Sequence, residues 1–314
     1  MQFSVVIPLF NKAPHVAAAV RSALEQTHSP LEVIVVDDGS TDGSLCVVHA
    51  ISDPRLKVLS RSPPGPGGYA ARNRGIQEAR GEWIAFLDAD DLWHADHLAS
   101  LAAAATAAGP RAGCVFSRFE RVRDGRRWQD PIAPEMSRPG AAHDLNAMLR
   151  AWLSTGLCPI WTGAVAIRRT VLLDAGSFPV GTVVRGGDKD TWLRVMAITG
   201  TAHAPQTTVQ FHQDSVNRVT FATTTTQRPA LTTTVEQLQR DARGERRHLL
   251  RRVANLEIRL YARQAARQGR RIGMEFPKAL YLPEGTAALA SVVAYMGLAY
   301  PLRFVRARAA ARKA

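Results

Sequence analysis

The first 120 residues alternate short, β-branched apolar runs with segments of helical period, and this alternation constrains the fold more than any other feature. Phe3–Ile7, Leu31–Val36, Leu56–Leu59, Trp83–Leu87 and Gly113–Phe119 read as strands. Most are apolar without interruption, the pattern of strands covered on both faces. Between the first two, Val16, Ala19, Val20, Ala23 and Leu24 recur at helical spacing within Pro14–Gln26. Pro14 stands near the first turn, where its missing N–H costs little. Ser44–Ile51, Tyr69–Ala79 and Ala95–Ala108 also read as helices. Strands alternating with helices require right-handed crossovers, so an α/β fold with a mainly parallel sheet is expected.

The remainder is less regular. Arg121–Pro139 is polar and reads as an irregular excursion, Leu145–Leu153 as a helix, Thr162–Ile167 as a strand and Lys189–Ile198 as a helix. Thr223–Thr226 and Thr232–Thr234 bracket Pro229 without period, which predicts a linker over 223–234 between a domain at 1–222 and a basic helical region at 235–314. A chain of 314 residues fits about two domains, or one large domain with an appendage, by the usual size of roughly 150 residues each.

The formal charge of +13 is concentrated at one end: residues 236–314 hold 17 of the 40 Lys+Arg and 6 of the 27 Asp+Glu. No zinc-finger spacing or RNP-like aromatic motif accompanies this charge, so it is not read as nucleic-acid binding. Leu249, Val253, Leu256 and Leu260 mark an amphipathic helix. Gly285–Leu302 then runs 18 residues without a charge, ahead of Arg303, Arg306, Arg308, Arg312 and Lys313. A helix packed on the domain and a helix at a membrane interface, its arginines near anionic headgroups, are the two main readings. A true span is the third, and Ser291, Gly297, Pro301 and the many alanines weigh against it. Cys46, Cys114 and Cys158 are far apart and form no CxxC pair, so neither a disulfide framework nor a zinc site is expected. With no basic leader before Phe3, no signal peptide is expected. These features predict a cytoplasmic protein, in contact with the inner face of the membrane if the tail is interfacial.

Ligands of open parallel sheets bind outside the carboxyl ends of the strands. After the first strand comes Pro8-Leu9-Phe10-Asn11; after the second, Asp37-Asp38-Gly39-Ser40-Thr41-Asp42; after the fourth, Asp88-Ala89-Asp90-Asp91. Clustered carboxylates repel unless a cation or hydrogen-bond donors join them, and Mg²⁺ or Mn²⁺ is the simplest such cation. Asp88 and Asp90 point to the same side if strand geometry persists there. Each acidic stretch alone is also a good turn or N-cap sequence; recurrence at successive strand ends favours a binding rim. Gly65-x-Gly67-Gly68 does not follow the first strand, so it reads as a mobile loop rather than a dinucleotide fingerprint.

Four segments in order, Ser4–Asn11, Val33–Asp42, Ala71-Arg72-Asn73-Arg74-Gly75 and Phe86–Asp91, resemble the signature of family 2 glycosyltransferases of the GT-A fold. The resemblance covers roughly residues 1 to 215. It implies a Rossmann-like GT-A sheet and an inverting enzyme that takes a sugar from a nucleotide-diphosphate donor, most often UDP-linked. Carried over, Asp38 would contact the base, Asp88 the ribose region, Pro8 and Asn11 the nucleotide, and Arg72 the base or phosphates, with Ala89 also among the donor-binding residues. Asp90, last of the Asp-x-Asp, would bind the divalent metal. Gly186-Gly187-Asp188-Lys189-Asp190 resembles the acceptor-side motif, with Gly187 where many members carry Glu. Asp188 is thus the candidate general base, with Asp190 as alternative; an N-cap is the other reading of Asp188.

Gly163, Ala164 and Asp174–Pro179 match the acceptor-side segment of the same family. Trp161 reads as a sugar-stacking surface or as core, and His212 as a diphosphate contact or a surface histidine. The Gln-x-x-Arg-Trp motif of processive synthases is absent, which predicts addition of one or few sugars. The expected partners are a nucleotide-sugar donor and a cell-surface glycan or lipid-linked acceptor. Competing readings are a sugar-nucleotide pyrophosphorylase, which would need a Gly-rich basic loop after the first strand, and a catalytically silent glycan-binding or scaffold protein.

Overall fold

The computed structural model describes all residues except 134–135, 137–139, 182, 217–225, 283, 285 and 298–314. β1 (Phe3–Leu9), β2 (Glu32–Asp37), β3 (Leu56–Ser60) and β4 (Trp83–Phe86) alternate with α1 (Val16–Leu24), α2 (Ser44–His49) and α3 (Tyr69–Glu78). Then follow β5 (Leu92–Trp93), α4 (His97–Ala108), β6 (Ala112–Arg123), β7 (Arg126–Gln129), β8 (Ala142–His143) and α5 (Leu145–Thr155). β9 (Val165–Arg168), α6 (Arg169–Asp174), α7 (Gly187–Ile198) and β10 (Gly200–His212) complete the sheet region. One sheet joins the strands in the order β3-β2-β1-β4-β9-β6-β10-β5, with β7 beside β6 and β8 beside β10. The β3-β2-β1-β4 part is parallel throughout, β6 and β10 are parallel, and β9 runs antiparallel between β4 and β6.

The sheet separates two apolar layers. Phe3, Val5 and Ile7 meet Val16, Ala19, Val20 and Ala23 of α1 and Leu98 and Leu101 of α4 on one side. Val6, Ile34, Val36 and Phe86 face α3, α5 and α7 on the other. Period-2 strands against period-3.6 helices thus give the expected α/β sandwich. Gly75 brings α3 close to the sheet: a Cβ there would lie 2.4 Å from Val6 Cγ1.

Two expectations are corrected. Arg121–Pro139 is not irregular at its start: β6 runs on to Arg123 and turns through Asp124 and Gly125, both at positive φ, into β7. An Asp-Gly hairpin turn was concealed by the arginines that cover this exposed edge. Residues 134–135 and 137–139 of that stretch lie outside the described residues. Thr162–Ala164 is a 3-10 turn, and only Val165–Arg168 is strand. Within the stretch expected as a mobile loop, Pro66–Gly68 is a 3-10 turn leading into α3, with Gly67 and Gly68 both at φ +69°.

After β10 come α8 (Leu231–Asp241), α9 (Gly244–Arg267), α10 (Glu275–Lys278) and a helix over 286–297. Thr232–Thr234, expected as linker, are in the first turns of α8, where Thr232 and Thr234 are buried; 223–225 lie outside the described residues. Leu231, Val235, Leu249, Leu250, Val253 and Ala254 share one apolar cluster with Trp192, Leu193, Val195 and Met196 of α7. Of the 285–302 segment, residues 286–297 are helical, and Val292 packs with Ile258 and Phe276. Among the described residues no helix is long and apolar enough to cross a membrane.

Candidate active site

The carboxyl ends of β1, β2 and β4 form the expected rim, and Asp38, Asp88 and Asp90 on it each meet a cation from this chain. Asp38 is buried, accepts from Gly65 N at 2.9 Å and pairs with Arg61. Asp88 pairs with Arg72, which reaches back from the first turn of α3 and also donates to Gly67 O at 3.2 Å. Phe178 lies under the Arg72 guanidinium, 5.6 Å from ring centroid to Cζ. Asp90 Oδ2 accepts from Lys12 Nζ at 2.6 Å and from Ser215 Oγ at 2.5 Å.

Local backbone explains these directions. The β1–β4 ladder ends at Val6–Phe86, so Pro8 withholds no donor from it. Asn11 takes φ +52°, a conformation asparagine tolerates, and its Oδ1 accepts from Thr41 N at 2.8 Å while Ser40 Oγ accepts from Asn11 N. Strand geometry does not persist through the Asp-x-Asp: a turn closes with Asp91 N donating to Asp88 O at 3.0 Å. Asp88 therefore turns to Arg72 and Asp90 to Lys12, and the strand geometry on which a shared side depended is absent. Ala89 between them is buried, its small side chain filling the layer over α1.

Asp91 lies beneath the rim at 1% exposure. Its Oδ1 accepts from His212 N at 2.9 Å, and its Oδ2 has no partner among the described residues. Burial, reinforced by the charges of Asp90 and Asp88, pushes this carboxyl well above the usual range. His212 thus meets the acidic turn through its backbone. Trp161 stacks between Phe119, at 5.2 Å, and Phe211, at 4.3 Å between centroids, and is partly buried.

The Gly186–Asp190 segment opens α7. Gly186, at φ +72°, ends the preceding loop, and Gly187 N donates to Tyr69 Oη at 2.9 Å. A Cβ at Gly187 would lie 2.7 Å from Pro179 and 2.9 Å from Tyr69, so tight packing accounts for glycine here. Asp188 follows, partly exposed, with no hydrogen bond or ion pair to its carboxylate among the described residues. Burial and the Asp188 charge together raise the Tyr69 pKa. Asp190 differs: it is buried, its Oδ2 takes Arg194 Nη2 at 3.0 Å and its Oδ1 takes Thr234 Oγ1 at 2.6 Å. Those bonds fasten α7 to α8 and leave Asp188 as the open carboxylate.

Sequence reasoning missed Lys12, Arg61, Tyr69 and Ser215. Lys12 and Ser215 stand beside quoted motif residues, so their nearness to the rim was legible. Arg61 and Tyr69 become part of the site only when the 61–69 turn folds over β2.

The chain matches the profile described as Glycosyl transferase family 2 over residues 4–174, more than half its length. It belongs to that family. A protein of Mycobacterium tuberculosis is 30% identical over 229 residues, covering 71% of this chain and 69% of its own. The succinoglycan biosynthesis protein ExoO of Rhizobium meliloti is 45% identical over 105 residues, 33% of this chain and 30% of ExoO. Matches to other curated glycosyltransferases are similarly short, such as 29% of the length of a Nostoc relative. Among solved structures, TarS residues 1–349 from S. aureus superpose with TM-score 0.71 at 17% identity, over 96% of this chain and 92% of that one. This likeness establishes the GT-A fold of the family 2 member described here.

Proposed function

We propose that this family 2 glycosyltransferase is inverting and moves a sugar from a nucleotide-diphosphate donor, a UDP-sugar in the first instance, to a hydroxyl of a cell-surface glycan or lipid-linked acceptor. The observation that carries the reading is the Tyr69 link. Its hydroxyl receives the amide at the start of α7, one residue before Asp188, while its own helix sends Arg72 to Asp88 on the donor rim. An open carboxylate is thereby held in register with a nucleotide rim, as an inverting displacement requires of its base. Support also comes from relatives. TarS was solved with UDP-GlcNAc and with UDP, PcManGT from Pyrobaculum calidifontis with GDP-Man and Mn²⁺, and ExoO acts in succinoglycan biosynthesis.

In this proposal Asp38, Asn11 and Pro8 line the nucleoside, Asp88 and Ala89 the ribose, and Arg72 moves from Asp88 towards the phosphates. Among the described residues no three His, Cys, Asp or Glu side chains are grouped to hold a metal. The donor set nevertheless fits Mg²⁺ or Mn²⁺ bound through Asp90, because such ions take one or two carboxylates and complete their shell with water and phosphate oxygens. Asp90 Oδ1 receives no hydrogen bond from the described residues, and Asp91 Oδ2 is unpartnered close by. When bound, the ion would stabilise charge on the departing diphosphate. The basic C-terminal region is proposed to touch the inner face of the membrane, so deleting residues 285–314 should move the protein to the soluble fraction.

The test is a panel of UDP, GDP and dTDP sugars with Mn²⁺, read by donor hydrolysis and then by transfer. Asp188→Ala should lower transfer by about 10²- to 10⁴-fold and leave donor binding intact. Failure of every donor to bind would favour a glycan-binding protein instead, and loss of donor binding in Asp188→Ala would contradict the base assignment.

A further inference from the structure

α9 carries a carboxylate in an unexpected place. Glu257 is fully buried, yet both its oxygens accept from Lys189 Nζ, at 2.9 and 2.8 Å, and Oε1 also accepts from Trp152 Nε1 at 3.2 Å. It therefore joins α9 to α5 and to the first turn of α7, at the residue following Asp188. One turn later Tyr261 sends its hydroxyl to Arg185 O at 3.3 Å, and a Cβ on Gly186 would lie 2.0 Å from that hydroxyl. The α9 face bearing Glu257 and Tyr261 thus backs the loop-to-helix turn that presents Asp188. A buried ion pair is a poor source of stability, since desolvation offsets the attraction. Its placement needs another reason.

We infer that Glu257 is a positioning residue for Asp188: through Lys189 it fixes the first turn of α7 and absorbs the ammonium charge that would otherwise fall on the base. This rests on Asp188 being the base. The surroundings are mostly uncharged at neutral pH. Tyr69 from α3 and Tyr261 from α9 face Asp188, both with pKa raised by burial, and the thiol of the partly buried Cys158 is raised likewise. The charge of Arg72 reaches Tyr69 and that of Arg185 reaches Tyr261. Burial works to lower the Lys189 pKa, but the charge and hydrogen bonds of Glu257 outweigh it and hold the ammonium above its usual range. Asp188 is the other carboxylate whose charge reaches Lys189. With Glu257 neutral, burial draws Lys189 towards losing its proton, and while it keeps that proton it is an uncompensated cation beside Asp188 that favours the ionised form and weakens it as a base.

The experiment compares Glu257→Gln, Lys189→Met, the double variant and Asp188→Ala in the full chain, with transfer measured across pH at saturating donor. Glu257→Gln should lower transfer kcat by about tenfold, leave donor KM unchanged, and move the acidic limb of the pH profile down by about one unit. The double variant, with no charge on either partner, should return the limb to its wild-type position. A limb that stays in place in Glu257→Gln, or that the double variant does not restore, overturns the inference and leaves Glu257 a packing residue. Should Asp188→Ala itself retain transfer, the base reading fails first and the inference falls with it. Melting curves of all four variants separate loss of fold from loss of chemistry.

Discussion

Lys12 holds its ammonium 2.6 Å from Asp90 Oδ2, and the same nitrogen donates to Val216 O at 2.5 Å. A cation from β1's own loop thus stands on the carboxylate proposed to bind the metal. If Lys12 and the ion share Asp90, removing the lysine unmasks it. Lys12→Met should tighten Mn²⁺ binding in the presence of UDP by about tenfold, and Asp90→Asn should abolish the metal dependence of nucleotide binding. Titration calorimetry with and without UDP checks both. Weaker Mn²⁺ binding in Lys12→Met would make the ammonium a partner of the diphosphate rather than a competitor of the ion.

Asp188 and Asp190 sit two residues apart and should respond oppositely to substitution. Asp190 is buried against Arg194 and Thr234, so Asp190→Ala strands a guanidinium and should cost about 3 kcal/mol of stability. Asp188 has no such partners, and Asp188→Ala should change stability by less than about 0.5 kcal/mol while removing transfer. Urea unfolding beside transfer assays separates them. Equal destabilisation would return Asp188 to the role of a structural N-terminal residue.

The rim and its motifs were legible because they depend on local sequence: an apolar run ends, and Asp38 or Asp88 must follow at the open edge of the sheet. What Asp88 and Asp90 face was not legible, because it depends on a turn closing from Asp91 N to Asp88 O, against the period of the strand before it. Strand β10 was missed for a similar reason. Residues 200–212 mix threonine, histidine and proline with few long apolar side chains, and they become strand by pairing with β6 across several register shifts. The helices after residue 230 were placed in a separate region on the aperiodic Thr-rich stretch around Pro229 and on the basic charge that follows it. Charge describes the outward face of α9, whereas Leu249, Val253 and Glu257 decide where the helix docks.

Gly75 closes the Ala71–Gly75 motif for a packing reason. Its missing Cβ lets α3 approach Val6, and that approach sets the reach of Arg72 to Asp88 and of Asn73, which clasps the backbone of Phe178 through bonds of 2.9 Å in both directions. Gly75→Ala should destabilise by about 1–3 kcal/mol and also weaken nucleotide binding, because the helix shifts as a unit. Chemical denaturation and a UDP titration test the pair of effects. A stable variant with wild-type affinity would show that α3 has slack against β1.

His97 sets an acid limit on the fold. It is buried between α4 and the sheet, with Nδ1 2.7 Å from Thr208 Oγ1 and Nε2 without a partner among the described residues. Burial, and then the neighbouring His94, lower its pKa to about 3; burial also lowers His203 to about 4. Both values lie below the unfolded value near 6.5, so the folded state resists protons that the unfolded chain accepts. Their contribution is fully present above about pH 6.5 and declines as pH falls towards these values, by about 3 kcal/mol from His97 alone at pH 4. Urea midpoints between pH 7 and pH 4 should therefore fall steadily in wild type. The slope should be shallower in His97→Gln and unchanged in His49→Gln, whose side chain is exposed. A His97→Gln slope equal to that of wild type would show that His97 admits a proton in the folded state.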